Sequence, residues 1–389
     1  MRIRNLADEA VSPAETFVNA VVAQAGRSDT LPLALSYFPV ATMNPYQRLL
    51  YSRAEESGFA IVPTLQMQHL GRIHWRGRSV LHLHWLASVL YGVATPGAAH
   101  ARIEGLRADM AGWRAAGHRI IWTMHNVLPH DCPFPEAEIA LRRVLVEGSD
   151  AIHVLSHSSI KEARQYFDLP EEKIFQVPHP SYEGWYANVD GGVSAKLDLD
   201  LPADSFTYLF FGSLQPYKGA LELVDAFLRL RERNPGRKLR LVIAGKPVDA
   251  AYAAAVRDAT LEHSSIQFIP SAMEERQIQV LFHAADAVVA PYRRTLNSGV
   301  AMLAASFRKP LVAPGNGGVG ETFAEDPTLL YDNQPGNGPV EAMERALTHR
   351  VSSEVFDGIL ARHRPARVSE EFFSAVRERL FASTAARAG

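Results

Sequence analysis

The densest group of reactive side chains in this sequence is TMHNVLPHD, Thr123 to Asp131. His125 follows the apolar run RIIWTM, so it stands at the end of a strand. A histidine there can donate to a hydroxyl or act as a base near neutral pH. Asp131 can take a proton from a hydroxyl if burial raises its pKa. Plainer roles are a strand-end histidine satisfied by backbone and an aspartate that opens a turn or a helix. Asn126 and His130 add polar atoms to the same loop. The cluster has neither an H-x-x-x-H helix nor a cysteine partner, so no metal is expected.

A second group suits an anion. In TYLFFGSLQPYKGALELVDA (Thr207 to Ala226), an apolar strand ends at Gly212. Ser213, Lys218 and Gly219 follow in a loop that leads into a helix. Glycine lets backbone approach a ligand, a helix start offers free N–H groups, and lysine adds a point charge. An ordinary turn with a surface lysine is the competing reading. Further along, Asn297, Ser298 and Gly299 open another helix, where a serine either caps the helix or helps its N–H groups hold a diphosphate. Tyr292 lies in the same strand-end stretch. Gly245, Lys246 and Ser271 follow two more strands. Gly317 to Gly320 read as a flexible loop before Glu321, a residue able to accept hydrogen bonds from hydroxyls or simply solvated. No G-x-G-x-x-G opens the first strand and no G-x-x-x-x-G-K-[ST] occurs, which argues against dinucleotide redox enzymes and P-loop ATPases.

The elements that must carry these groups alternate. Strands are expected at Leu31–Tyr37, Phe59–Val62, Val80–Trp85, Arg119–Met124, Ala151–Leu155 and Ile174–Val177. Helices are expected between most of them, with a further helix from Pro13 to Ala25 in the polar lead-in. Alternation of this kind implies a parallel sheet covered on both faces. The polar stretch 188–204 reads as a linker. A second α/β set follows, with strands at Leu239–Ala244, Ile266–Ile269, Ala287–Ala290, Leu311–Ala313 and Thr328–Tyr331. The expected organisation is residues 1–187 as one domain, 205–365 as another, and 366–389 as a terminal helix. Ligands of open parallel sheets bind beyond the strands' carboxyl ends. There the first half also places Asn44, His84 and Trp85.

Composition narrows the class. Hydrophobic residues make up 47% of the chain, enough for sizeable cores, and the formal net charge of -2 argues against a general nucleic-acid binder. The single cysteine, Cys132, excludes an internal disulfide framework. The N-terminus lacks a signal-peptide core and no apolar run is long enough to span a bilayer, so a cytoplasmic protein is expected. One run, QMQHLGRIHWRGR, interleaves Arg72, Arg76 and Arg78 with Trp75. It suits peripheral contact with a membrane surface or an anionic glycolipid, or else a solvated loop with one anchored tryptophan.

With these residues in view, the chain resembles the GT-B glycosyltransferases, over nearly its whole length after the lead-in. The matching pieces are FGSLQPYKG, LVIAGK, LFHAADAVVAPY and SGVAMLAASFRKPLVAPGNGGVGE. The resemblance implies two Rossmann-like parallel-sheet domains facing a central cleft. It implies a nucleotide-diphosphate sugar as co-substrate in the C-terminal domain and a glycan or polyprenyl-diphosphate-linked acceptor in the N-terminal one, with no cofactor and no metal. The family's phosphate-binding lysine carries over to Lys218, whereas Ser213 stands where retaining relatives carry arginine. The glutamates of their E-x7-E element fall at Thr295 and Leu303. The pieces PY…NSGVAM, NPYQRLLY, LHLHW and TMHNVLPHD instead resemble the exopolysaccharide β-mannosyltransferase branch, which implies GDP-mannose and inversion. Donor residues on this reading are Gly212, Ser213, Lys218, Gly245, Lys246, Ser271, Tyr292, Asn297, Ser298, Gly299 and Glu321. Asp131, or His125 after it, would be the base, and Asn44, His84, Trp85, Asn126 and His130 would meet the acceptor. A retaining transferase using a UDP- or GDP-sugar, a non-catalytic GT-B-fold binding protein and a sugar-nucleotide epimerase remain open.

Overall fold

The computed structural model describes residues 21–22 and 31–381, apart from 43, 73–74, 130–133, 190, 294–295, 333, 335 and 337. Two compact units share the chain. One comprises the N-terminal half as far as Pro180, joined by the helix that starts at Pro365. The other is Ser181–Arg364. The expected helix Pro13–Ala25 falls outside the described residues except for 21–22, which are helical.

The first unit holds strands β1 (Leu33–Phe38), β2 (Phe59–Pro63), β3 (Ser79–Leu83), β4 (Arg119–Met124), β5 (Ala151–Val154) and β6 (Ile174–Gln176). Its helices are α1 (Tyr46–Leu50), α2 (Pro96–Ala115), α3 (Pro135–Gly148) and α4 (His157–Ala163). All strands pair in parallel, in the order β2-β1-β3-β4-β5-β6. Burial on both faces explains why strands such as LALSYF are buried along their whole length. Helix α2 begins where Thr95 accepts from the Ala98 N–H and Pro96 takes the first turn. It buries Ala99, Ile103, Leu106 and Met110, one stripe at helical spacing.

The second unit holds β7 (Phe206–Phe211), β8 (Leu239–Ala244), β9 (Ile266–Ile269), β10 (Ala287–Val289), β11 (Leu311–Pro314) and β12 (Leu330–Tyr331). Its helices are α5 (Gly192–Asp198), α6 (Ala220–Arg233), α7 (Ala250–Thr260), α8 (Glu275–Ala284), α9 (Gly299–Ser306), α10 (Gly317–Thr322), α11 (Gly338–Ala346) and α12 (Ser353–His363). This sheet is also parallel, in the order β12-β11-β10-β7-β8-β9. The last helix, α13 (Pro365–Phe381), returns to the first unit. There Val368, Phe372, Phe373 and Val376 join Leu35, Leu50, Phe59 and Phe175 in one core.

Two stretches fold differently from the sequence expectation. Residues 188–204, expected as a linker, contain α5, which packs on α8. The cause is Lys196, a buried residue whose ammonium donates to Asp286 Oδ2 (2.9 Å) and to the Ser205 carbonyl (2.6 Å). Asp286 also accepts from the Thr207 N–H at 2.8 Å, so this short helix is pinned to the first strand of its sheet. A buried ammonium needs such partners, and that need overrides the polar composition. The glycines expected as a loop before Glu321 form α10 instead. A side chain at Gly320 would lie 2.2 Å from the Gly315 carbonyl oxygen, so glycine allows the helix to start tight against its strand.

In each sheet the strand order reverses once. The chain leaves β1 for β2 on one side and returns to β3 on the other. It leaves β7 for β8 and β9 and returns to β10. The carboxyl ends at β1/β3 and β7/β10 are therefore topological switch points, where open α/β sheets place ligands.

Candidate functional site

The β7/β10 end gathers the anion-type residues. After β7, Gly212 takes φ +134 and Gly219 takes φ +72, conformations that disfavour side chains. A Cβ on Gly212 would come 2.9 Å from Lys218 Nζ and 3.7 Å from the Tyr292 hydroxyl, so the ammonium lies over the Gly212 backbone. A Cβ on Gly245 would sit 1.7 Å from the Gly212 carbonyl oxygen, so the ends of β7 and β8 approach this closely only because residue 245 is glycine. Lys218 lies 5.4 Å from the Tyr292 ring centre and 5.9 Å from that of Tyr217. Burial lowers its pKa from 10.5 to about 8. Among the described residues no carboxylate pairs with it.

Helix α9 supplies the other wall. Ser298 caps it, its hydroxyl accepting from the Ala301 N–H at 3.2 Å, and it also hydrogen-bonds Tyr292. Tyr292 is buried, which raises its phenol pKa and keeps it neutral. Adding a Cβ at Gly299 would bring it 2.9 Å from the Tyr182 hydroxyl. Beyond the cap, the first turn carries backbone N–H groups without intrahelical partners. An ammonium with no counter-ion among the described residues, a glycine backbone and a helix start together suit a diphosphate.

The other expected donor residues scatter. Ser213 accepts from the Gln215 side-chain amide at 2.9 Å. Gly245 is buried at the end of β8, whereas Lys246 and Ser271 are exposed beyond β8 and β9. Asn297 is half-buried next to the cap, and Glu321 is exposed on α10. Thr295 lies outside the described residues. Leu303, where the second family glutamate would fall, is buried in α9, a helix buried along its length.

In the first unit the β3 and β4 ends bring His84, Trp85 and His125 together. His84 Nδ1 and His125 Nε2 are 3.0 Å apart, and the Trp85 ring stacks on His125 with centres 3.9 Å apart. Tyr46 packs edge-on against His125 at 4.9 Å. Burial, reinforced by neighbouring histidines, holds both His84 and His125 well below the usual imidazole range. Both rings are therefore neutral at pH 7. The loop after His125 is fixed by Arg142, which donates to the Val127 carbonyl at 3.1 Å and pairs with Glu138 in the interior. Asn126 is half-buried in that loop. Asn44 is exposed, and its side chain accepts from the Tyr46 N–H at 3.0 Å to start α1. Asp131 and His130, candidates from the sequence, lie outside the described residues.

Sequence reading missed His82, His153, Thr123 and Tyr51, which join His84 beneath this end. His82 on β3 and His84 just past its end fall on one face because side chains alternate along an extended chain. The histidines in LHLHW and AIHV, set in otherwise apolar strands, were the available signal. Of the basic stretch, Arg72, Arg76 and Arg78 are exposed, while Trp75 donates to the Pro32 carbonyl at 2.9 Å and is anchored to the protein. Arg78 lies over the Phe381 ring at 5.3 Å. Among the described residues no helix is long and apolar enough to cross a membrane.

Known proteins resemble this chain in sequence and in fold. Residues 205–349 match the family described as "Glycosyl transferases group 1". The GDP-mannose:glycolipid 4-beta-D-mannosyltransferase of Xanthomonas campestris is 24% identical over 299 residues, covering 76% of this chain and 78% of that one. The D-inositol 3-phosphate glycosyltransferase of Corynebacterium efficiens is 29% identical over 209 residues, 52% of this chain and 49% of that one. Among solved structures, sucrose-phosphate synthase of Thermosynechococcus elongatus superposes with a TM-score of 0.65 at 16% identity, covering 91% of this chain and all of that one. A glycosyltransferase of Rickettsia africae gives 0.64 at 11%, covering 90% and 99%. These structures share the GT-B fold with this chain.

Proposed function

We propose that this chain, a glycosyltransferase of the GT-B type, transfers mannose from GDP-mannose to a glycan or lipid-linked oligosaccharide with inversion. The observation that carries a nucleotide-diphosphate donor is the β7/β10 end, where half-buried Lys218 stands over Gly212 with no carboxylate partner among the described residues, beside the start of α9. Displacement of a diphosphate builds negative charge on its bridging oxygen. Lys218 and the N–H groups of α9 would stabilise that charge in place, with no protein reorganisation. Such an arrangement needs no metal. The choice of GDP-mannose follows the mannosyltransferase relative, whose similarity runs through both halves of the chain.

Inversion requires a base for the acceptor hydroxyl. We assign that role to the TMHNVLPHD loop, to Asp131 or to His125. The neutral state of His125 suits it to accept a proton. The buried leucine at position 303, in the place of a family glutamate, is the reason to prefer inversion to retention. An acceptor carried on a polyprenyl diphosphate would bring the protein to a membrane surface, with Arg72, Arg76 and Arg78 as the exposed cations.

A thermal-shift panel of GDP, UDP and ADP tests the donor. A ligand that binds the native state raises the melting point by mass action. GDP should give the largest rise. A rise with UDP alone would replace the GDP reading by the retaining UDP-sugar reading, which the inositol phosphate glycosyltransferase relative keeps in play. Transfer with wild type and Lys218→Ala at equal, background rates would favour a non-catalytic binding protein.

A further inference from the structure

Beneath His125 runs an unbroken chain of buried polar contacts across three strands and α1's end. The Val177 carbonyl meets His153 Nε2 at 2.9 Å, and His153 Nδ1 meets Thr123 Oγ1 at 3.0 Å. Thr123 Oγ1 meets His82 Nε2 at 2.6 Å, and His82 Nδ1 meets the Tyr51 hydroxyl at 2.7 Å. That hydroxyl meets His84 Nε2 at 2.7 Å, and His84 Nδ1 meets His125 Nε2 at 3.0 Å. The register places these groups side by side: Thr123 on β4 pairs with His153 on β5, His82 on β3 pairs with Ile121, and His84 lies one residue past the end of β3. Phe372 of α13 covers that face, stacked on His82 at 5.2 Å.

We propose that this chain fixes the tautomer of His125, placing its hydrogen on Nε2 and leaving Nδ1 as a proton acceptor for a ligand hydroxyl. The chain ends at a group that cannot donate. A carbonyl oxygen only accepts, so His153 must carry its hydrogen on Nε2. In a neutral ring Nδ1 is then an acceptor, and Thr123 must donate to it. The Thr123 oxygen in turn accepts from His82 Nε2, and His82 Nδ1 accepts from Tyr51. The Tyr51 oxygen accepts from His84 Nε2, and His84 Nδ1 accepts from His125 Nε2. Six contacts consume the six hydrogens that four neutral imidazoles and two hydroxyls possess. None is left for His125 Nδ1, which has no hydrogen-bond partner among the described residues.

Neutral rings are what this interior favours. All four histidines are held below the normal range, first by burial. The groups facing His125 are His84, His179, Tyr46 and Trp85, and none is a carboxylate among the described residues. If a ligand hydroxyl gives up its proton, its O–H bond breaks and an Nδ1–H bond forms on His125. Each bridging hydrogen then shifts one contact inward, and the positive charge comes to rest on His153. The carbonyl takes no proton, so the chain stores the charge and returns it by the reverse shift. His125 is the group that meets the ligand. Tyr51, His82, His84, Thr123 and His153 are positioning residues.

That the hydroxyl belongs to a sugar acceptor rests on the proposed function; the tautomer assignment does not. Nitrogen-15 NMR of histidine-labelled protein at pH 7, without donor or acceptor, reads it directly. All four histidines of the chain should be neutral Nε2–H rings, the three buried ones with slowly exchanging protons. Tyr51→Phe should leave His82 and His153 unchanged and give His84 and His125 mixed tautomers. Thr123→Val, which cuts the chain next to His153, should leave only His153 fixed and serves if Tyr51→Phe does not fold. In a working transfer assay Tyr51→Phe should lower kcat about tenfold with little change in KM, part of the 10²- to 10⁴-fold typical of a positioned base. An Nδ1–H form of His84 or His125 in the wild type, an imidazolium among the four at pH 7, or an unchanged His125 in both variants would overturn the proposal.

Discussion

Replacing Lys218 with methionine separates stability from binding. Burial pulls the folded pKa from 10.5 to about 8, while the unfolded chain keeps the ordinary value. The unfolded chain therefore holds the proton more tightly, and stability rises with pH from about 8 to 10.5. Below 8 the full penalty of keeping a charged lysine in this place applies, about 3 kcal/mol at most. Methionine keeps the chain length without the charge. Lys218→Met should therefore stabilise the ligand-free protein by up to about 3 kcal/mol, a rise of several degrees at roughly 2–4 °C per kcal/mol. The same change removes the cation proposed to meet the diphosphate, so GDP should no longer raise the melting point. Calorimetry at pH 7 and pH 10, with and without GDP, reads both effects, and the stability gap should narrow at the higher pH. A variant that melts no higher than the wild type, yet keeps its full response to GDP, would refute the reasoning.

Gly245→Ala should collapse the β7/β8 end, because its Cβ would lie 1.7 Å from the Gly212 carbonyl oxygen; GDP binding should fall at least tenfold, measured by titration calorimetry. His153 binds its proton only at about pH 4 when folded and near 6.5 when unfolded, so its contribution is whole above pH 6.5 and lost on acidification to 4. The stability gap between wild type and His153→Asn should therefore shrink by about 3 kcal/mol over that range, measured by urea unfolding. Glu138→Ala removes one carboxylate of a buried ion pair with Arg142 and should destabilise the first unit by up to about 3–5 kcal/mol in the same assay.

Much of the architecture was legible in the sequence because both sheets are parallel and buried. Apolar runs such as LALSYF and TYLFF, ended by glycine or polar residues, mark strands with little ambiguity. Strand order is a different matter. Nothing local in β10 says that it returns beside β7, yet that return makes Lys218 and Ser298 neighbours of one site. Lys196 shows another limit: its partner Asp286 is remote in sequence, so a pinned helix reads as a polar linker. α10 was missed because three glycines in four residues look like flexibility, while Gly320 is there for close approach to Gly315. The histidine chain was half visible. His84 and His125 follow strand ends, but His82 and His153 lie inside strands, and only the register shows that Thr123 and Tyr51 join them.

The central claim is that a nucleotide diphosphate binds at the carboxyl end of β7 and β10. A crystal structure of the protein with GDP tests it most directly. Diphosphate oxygens should lie within hydrogen-bond distance of Lys218 Nζ and of backbone N–H groups in the first turn of α9. GDP bound elsewhere, with Lys218 and Ser298 untouched, would contradict it.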